Sequence, residues 1–299
     1  IFCRNSIFKL SNISDSDNIA IVPVTRNVGC LDGQSIQEIG GDLVFLSPDG
    51  VCTVAGTARI GDVELSSVSR QIQKIVTVIA DSVNSFTISS GVLRSKSQYR
   101  LFYTNTSLSA GVSKGIIGTL TPNGFEWSET KGIQANGFAS AFDDDGVEQS
   151  YHGDNTGYIY NHDSGSTFNT AGTASNIESL YYTPDLDFGD IGTRKTIKYV
   201  KLSLSPEGDV QPSLHVKYDF ESSDTPQPAL YTLDSIPLPA TFGSATFNAS
   251  IFGATANPLV RQAVEGSGYT LSLRIKSDDQ KSPYSINGFY IDYMPSGRK

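Results

Sequence analysis

Few side chains in this chain could carry acid–base catalysis. It has three histidines, His152, His162 and His215. A Ser/His/Asp site requires one His that is held by a carboxylate beside an activated Ser. His152 and His162 lie beside predicted turns and His215 on an alternating strand, and none of these positions marks such a site. We therefore predict no catalytic residue.

An acidic stretch is the next candidate for chemistry. Its carboxylates surround Gly146 and belong to Asp143, Asp144, Asp145 and Glu148. Clustered oxygens of this kind could bind Ca²⁺, but the Asp-x-Asp-x-Asp-Gly spacing with a distant Glu is missing. We therefore favour an acidic surface turn and predict no metal site.

A second group of carboxylates lies at Asp185, Asp187 and Asp190. We interpret them as turn residues, because Asp side chains in turns accept hydrogen bonds from nearby backbone amides. Paired carboxylates about 5–10 Å apart across a sugar site could also serve a glycosidase. A glycan-cleaving enzyme therefore stays open as an alternative function.

A carbohydrate-binding module is the other alternative, and it would expose aromatic side chains on one face. Trp127 is the strongest single candidate, although its position after Phe125 in GFEW equally fits a core residue. In the second half of the chain, Tyr181, Tyr182 and Tyr231 could form such a face.

The cysteines and the hydropathy pattern exclude several classes of protein. Cys3, Cys30 and Cys52 are odd in number and widely spaced, and no CxxC pair is present, so a zinc site is not expected. Free thiols suit a reducing cytosol, and one disulfide among them stays open. No apolar run approaches the ~20 residues of a membrane span. No signal-peptide pattern is present, and we predict no cofactor.

The elements that must position these residues are predicted to be strands. Charged residues are only 18% of the 299 positions, and the chain holds 28 Gly and 13 Pro. A long helical array would need many more Glu, Lys and Arg on its outer faces. The composition therefore favours an all-β protein with many turns.

The first half of the chain repeats a strand–turn–strand pattern. The turns are centred near Asn5, Asp49, Lys114 and Asn155. Gaps of 44 residues between the first two turns and 41 between the last two match the ~40–50 residues of a propeller blade. In the longer gap, apolar residues at spacings of three and four predict one short helix over 66–80.

The pattern changes after the small polar linker 171–175. Segments 196–204, 213–218, 269–275 and 285–293 alternate between polar and apolar residues, as half-buried antiparallel strands do. We therefore predict a β-propeller over 1–175, which this chain does not complete alone, followed by an antiparallel β-sandwich over 176–299. The Pro-rich segment 226–258 is predicted to be a long excursion between strands.

Two stretches and the chain's end carry a family resemblance. The first stretch, 26–69, includes VGCLDGQSIQEIGGDLVFLSPDGVCTV, and the second, 151–195, includes YHGDNTGYIYNHDSG and YYTPDLDFGDIGTRK. The closing residues read GFYIDYMPSGRK. All three resemble tail structural proteins of short-tailed bacteriophages, particularly those of marine and cyanobacterial hosts. The resemblance covers most of the chain except 226–258.

This resemblance implies a structural part of a virion tail, the nozzle or tail tube extension, assembled in the host cytoplasm. It implies a six-fold ring of identical subunits around the passing genomic DNA. The propeller would form the body of the ring, and the sandwich would meet neighbouring subunits, the adaptor, the fibres or the host surface. Because Ile1 already lies in a predicted strand, we expect the remaining blades to come from outside this chain.

The charge fits a channel that does not hold DNA. The net charge is −9, and no basic patch offers the clustered Lys and Arg that duplex binding needs. Residues 1–175 carry net −6 and residues 176–299 net −3. Carboxylates lining a lumen would repel phosphate and let DNA slide. We expect the acidic stretch, Asp143, Asp144, Asp145 and Glu148, to be such a DNA-repelling loop.

Overall fold

The computed structural model of the chain describes residues 1–15, 17–55, 67–105, 114–170, 172–234 and 259–298. Strands make up 54% of the described residues and helices 9%, so the prediction of an all-β protein is confirmed. The chain divides into two compact units, Ile1–Ser164 and Gly165–Lys299. The boundary therefore lies before the 171–175 linker that the sequence suggested.

The first unit is a succession of four small antiparallel sheets, each built from strands that follow one another in the sequence. None of them closes on itself within the described residues. The sheets are β1 (Ile7–Ser11) and β2 (Ala20–Thr25); β3 (Gln37–Ile39), β4 (Asp42–Ser47) and β5 (Gly50–Thr53); β6 (Thr87–Leu93), β7 (Gln98–Thr104), β8 (Lys114–Thr121) and β9 (Gly124–Lys131); and β10 (Gly137–Phe142), β11 (Glu148–Gly153) and β12 (Ile159–Asn161).

The turn between β4 and β5 follows from its sequence. Ser47 pairs with Gly50, so Pro48 and Asp49 alone make the connection. Gly50 has a φ of +141°, a conformation that L side chains rarely adopt. Asn155 also lies in a turn, as predicted, because β11 and β12 pair on either side of it. Local turn chemistry therefore sets the register at both sites.

The other two predicted turns have different outcomes. Around Asn5 the chain reverses as predicted, because Phe2 and Ile7 form an antiparallel bridge and the amide of Cys3 donates to the carbonyl of Ser6 at 2.9 Å. In addition, β1 pairs with β2. Lys114 is the first residue of β8 and not a turn centre. The connection between β7 and β8 falls at 106–113, outside the described residues.

The helix α1 (Gln73–Asp81) follows a 3-10 turn at Arg70–Ile72 and overlaps the segment 66–80 in which the sequence predicted a helix. Val76 and Ile79 on one helix face are fully buried with Val51 of β5 and Tyr99 of β7. Further 3-10 turns lie at Gly33–Ser35, Val83–Ser85 and Asp219–Glu221. In the described part of the chain, no helix is both long and apolar enough to span a bilayer.

The second unit contains two four-stranded antiparallel sheets and a short hairpin. In one sheet the order is β15-β21-β17-β18, and in the other β16 pairs with β19, β20 and β22. The strands are β13 (Phe168–Thr170), β14 (Thr173–Ser175), β15 (Ile177–Tyr182), β16 (Thr193–Pro206), β17 (Ser213–Tyr218), β18 (Tyr231–Thr232), β19 (Leu259–Ala263), β20 (Ser267–Gly268), β21 (Leu271–Asp279) and β22 (Tyr284–Arg298).

Both sheets of the second unit contribute to one apolar core. Leu202 of β16, Val216 of β17 and Leu273 of β21 are among its buried residues. All four segments with alternating polarity contain strands, although 269–270 lie between β20 and β21. The predicted excursion at 226–258 includes β18, and its larger part, 235–258, lies outside the described residues.

Candidate functional site

The acidic stretch forms the turn between β10 and β11. Asp143 stabilises that turn, since its carboxylate accepts hydrogen bonds from the amides of Asp145 at 3.1 Å and Val147 at 2.8 Å, and from Nε2 of Gln149 at 3.0 Å. The bonds from Gln149 and then Val147 lower the pKa of Asp143. Its charge is therefore used locally to hold the turn.

Glu148, the fourth acidic residue, connects two sheets. Its carboxylate accepts bonds from the amide of Arg94 at 2.9 Å, and from the amide and the hydroxyl of Ser95 at 2.8 and 2.6 Å. Burial raises the pKa of Glu148, but the bonds from Ser95 and Arg94 outweigh it and the pKa lies below its ordinary value. Asp144 and Asp145 are exposed, and they present the outward charge of the turn.

Asp163 makes the second connection between these two sheets. Its carboxylate receives a bidentate pair from Arg100, at 2.7 and 3.2 Å, and a bond from Nζ of Lys96 at 2.6 Å. The Arg100 side chain is only 5% exposed, so its charge depends on this partner. Burial raises the pKa of Asp163, but the bonds from Arg100 and Lys96 outweigh it and bring the pKa to about 2.

Two of the three histidines meet beside Asp163. Nδ1 of His152 lies 2.7 Å from Nε2 of His162, so one ring donates and the other accepts. Tyr160 stacks on His152 at 5.0 Å, and Phe138 contacts His162 edge-on at 5.1 Å. The pair is therefore enclosed by aromatic rings.

This environment keeps both rings neutral. Burial lowers the pKa of His152, and the nearby Asp154 carboxylate opposes that shift only in part. Burial, His152 and Arg100 together lower the pKa of His162 to about 3, against the opposing charge of Asp163. Among the described residues the two rings bond to each other, and neither is hydrogen-bonded to a carboxylate as the His of a Ser/His/Asp site is. His215 belongs to β17 of the second unit.

The second carboxylate group belongs to a loop that encloses a lysine. The Asp187 carboxylate accepts the amide of Gly189 at 2.9 Å, and Asp190 accepts that of Gly192 at 2.8 Å. Both residues thus have the turn role that the sequence indicated. Asp185 precedes them, and one of its oxygens is buried with no protein partner among the described residues.

Lys195 is the buried centre of this loop. Its side chain donates to the backbone oxygens of Asp187 at 2.7 Å, Tyr269 at 2.9 Å and Asp190. Sequence reasoning missed this role, although a signal was present. Lys195 precedes Ile197 by two residues on β16, which places it on the buried face of an alternating strand.

The aromatic candidates fall into different environments. Trp127 is a structural residue, since its Nε1 donates to the Val68 carbonyl at 2.8 Å and its ring packs on Phe125. The Tyr231 hydroxyl accepts the amide of Glu265 at 3.0 Å. Tyr181 and Tyr182 are both exposed on β15, on opposite faces of the strand.

Neither a metal nor a disulfide links the candidate residues. In the described ranges, no three His, Cys, Asp or Glu side chains are grouped as metal ligands. Of the three cysteines, Cys30 and Cys52 are buried and Cys3 is exposed. Comparison with protein-family models and with curated proteins finds no match to this chain.

Proposed function

We propose that this chain is a structural subunit of a bacteriophage tail, part of a nozzle-like ring through which DNA passes. The observation that carries the proposal is the succession of four sheets from β1 to β12, each made of consecutive antiparallel strands. Propeller blades have this local connectivity. The proposal joins this topology to the resemblance of 26–69 and 151–195 to tail proteins.

The contacts between neighbouring sheets agree with stacked blades. Glu148 and Asp163 connect the β10–β12 sheet to the β6–β9 sheet, and the Ser140 hydroxyl donates to the Val92 carbonyl at 2.6 Å. We propose on this basis that the first unit contributes blades of a propeller. For the second unit, the common core of two sheets supports a β-sandwich.

The ribbon formed by β1 and β2 supports assembly into a ring. Ile19, Ile21 and Val22 on or beside β2 are exposed, and Ile21 is 61% exposed. A two-stranded ribbon is marginally stable alone, and an exposed apolar patch usually marks an interaction site. In the proposed ring a neighbouring subunit covers this ribbon, as a heterologous contact that closes by rotation.

Assembly is tested by light scattering and negative-stain electron microscopy of the purified chain. Rings with a central channel are expected, and Ile21→Glu should shift them toward monomers. Ile159→Glu is the matched control, because Ile159 is 77% exposed but lies on β12. A chain that stays monomeric at high concentration contradicts the proposal.

DNA passage is tested by charge reversal. The exposed Asp144 and Asp145 form the candidate DNA-repelling loop together with Asp143 and Glu148, which also hold local structure. The double variant Asp144→Lys/Asp145→Lys is expected to retain duplex DNA, with binding that weakens as salt rises. An unchanged, negligible affinity for DNA would show that this loop does not face the lumen.

Of the two alternatives, only carbohydrate binding has a specific observation in its favour, the groove described below. Glycan cleavage uses two carboxylates flanking the scissile bond. Asp279 is the single carboxylate among the described residues that line that groove. We therefore propose no hydrolytic activity.

A further inference from the structure

The second unit contains a groove between β15, β21 and β22. Its volume is 440 Å³, which falls within the usual range for small-molecule sites. The residues that shape its chemistry are Ser179, Tyr181, Ser277, Asp279, Lys281 and Tyr284. Nothing in the proposed ring function requires this groove.

Strand register determines what lines the groove. β15 and β21 run antiparallel, and Ser179 lies opposite Ser277 while Tyr181 lies opposite Ile275. Because side chains alternate along a strand, these four share one face, and Tyr182 is directed to the other. The Arg274 guanidinium lies 5.3 Å from the ring of Tyr182 on that opposite face.

Hydroxyl groups form a connected row in the groove. The Ser179 and Ser277 hydroxyls lie 2.7 Å apart, and the Tyr284 hydroxyl lies 3.4 Å from that of Ser277. Each hydroxyl has one donor and two acceptor sites, so each keeps capacity for another partner. A ligand that both donates and accepts hydrogen bonds at several points would match this row.

The charges in the groove are already paired. Nζ of Lys281 binds the Asp209 carboxylate at 2.8 Å, and the Asp279 carboxylate accepts the amide of Lys281 at 3.0 Å. An ionic ligand would have to compete with these contacts. The lining therefore favours an uncharged ligand.

We propose that this groove binds a neutral saccharide. The Tyr181 side chain, 44% exposed, offers an aromatic face to the C–H surface of a sugar ring. The row from Ser179 through Ser277 to Tyr284 then exchanges hydrogen bonds with the sugar hydroxyls. The site lies wholly in the second unit, so its test does not depend on ring assembly.

The test is a titration of the full chain with maltose, cellobiose and lactose, followed by saturation-transfer NMR. At least one disaccharide is expected to bind. Tyr181→Ala and Ser277→Val should each weaken that binding by about tenfold. That factor corresponds to the loss of roughly one stacking or hydrogen-bonding contact.

Tyr182→Ala is the matched control, because it removes a neighbouring exposed tyrosine from the opposite face of β15. Binding should stay unchanged in this variant, and circular dichroism should show that all three variants are folded. The absence of binding by all three disaccharides would overturn the proposal. An equal loss in Tyr182→Ala, or binding of sialyllactose alone, would also overturn it.

Discussion

Acidification is expected to destabilise the first unit through His162. The unfolded chain binds a proton at the ordinary His pKa of 6.5, whereas the folded state holds the pKa near 3. Above pH 6.5 the ring is uncharged in both the folded and the unfolded state, so its lowered pKa does not change the free energy of unfolding. Below that value the unfolded state takes up the proton first, so stability is lost as the pH falls toward 3.

The size of this effect follows from the shift. One pKa unit corresponds to about 1.4 kcal/mol. Between pH 7.5 and pH 4.5, the His162 pKa shift therefore predicts a loss of about 2 kcal/mol, after a reduction for the partly exposed ring. His152 acts in the same direction, because its pKa is also lowered. Charging both rings would also remove their mutual hydrogen bond, since both nitrogens would then be donors.

The chain provides its own probe for this measurement. Trp127 is the single tryptophan and lies in β9 of the first unit, so its fluorescence reports unfolding of that unit. Urea unfolding is followed from pH 7.5 to 4.5 for the native chain, His162→Gln and His215→Gln. The His162→Gln variant is expected to be less stable at pH 7.5 but to lose less stability on acidification. His215, on β17 of the second unit, serves as the control.

Parallel pH dependence of the native chain and His162→Gln would refute this reasoning. The window ends at pH 4.5 because the carboxylates of Asp143, Glu148 and Asp163 have lowered pKa values. The stability that they contribute is present above their unfolded pKa values and is lost only as the pH falls further. A loss that occurs solely below pH 4 would therefore be assigned to them.

Three other substitutions test the packing. Asp163→Asn leaves the Arg100 charge uncompensated, so it should lower the unfolding free energy of the first unit by about 3 kcal/mol, as followed by Trp127 fluorescence. The control Asp144→Asn should leave that free energy unchanged. Lys195→Met should destabilise the second unit by about 3 kcal/mol in calorimetry, because three carbonyls lose their donor. Gly91→Ala should lower the unfolding free energy measured in urea by about 1–3 kcal/mol, because the new Cβ would overlap the Phe138 ring. Unchanged stability would contradict that contact.

The turns and strands could be predicted where the information is local. Pro48, Asp49 and Gly50 specify their own turn through backbone preferences. The alternation around Ile197 and along β17 indicates strands because one face of each is buried. The reversal around Asn5 is present, with Phe2 bridged to Ile7, but the pairing of β1 with the strand that begins at Ala20 was not predicted.

The contacts that Glu148 and Asp163 make between sheets could not be predicted, since they depend on distant residues. Glu148 was predicted to belong to an acidic surface turn, and the structure shows that its carboxylate also binds the turn at Arg94 and Ser95. Asp163 is separated by 63 positions from Arg100, its buried partner. Nothing in the spacing of these residues indicates that their sheets are neighbours.

The sequence alone determined that the chain is β-rich, acidic and punctuated by specific turns, because composition, alternation and turn chemistry act over a few residues. The tertiary structure decided which side chains meet. It joined His152 to His162, enclosed Lys195 in carbonyl oxygens and aligned the hydroxyls of Ser179 and Ser277. Strand pairing and sheet contact bring together groups far apart in the chain, and only the folded chain sets those distances.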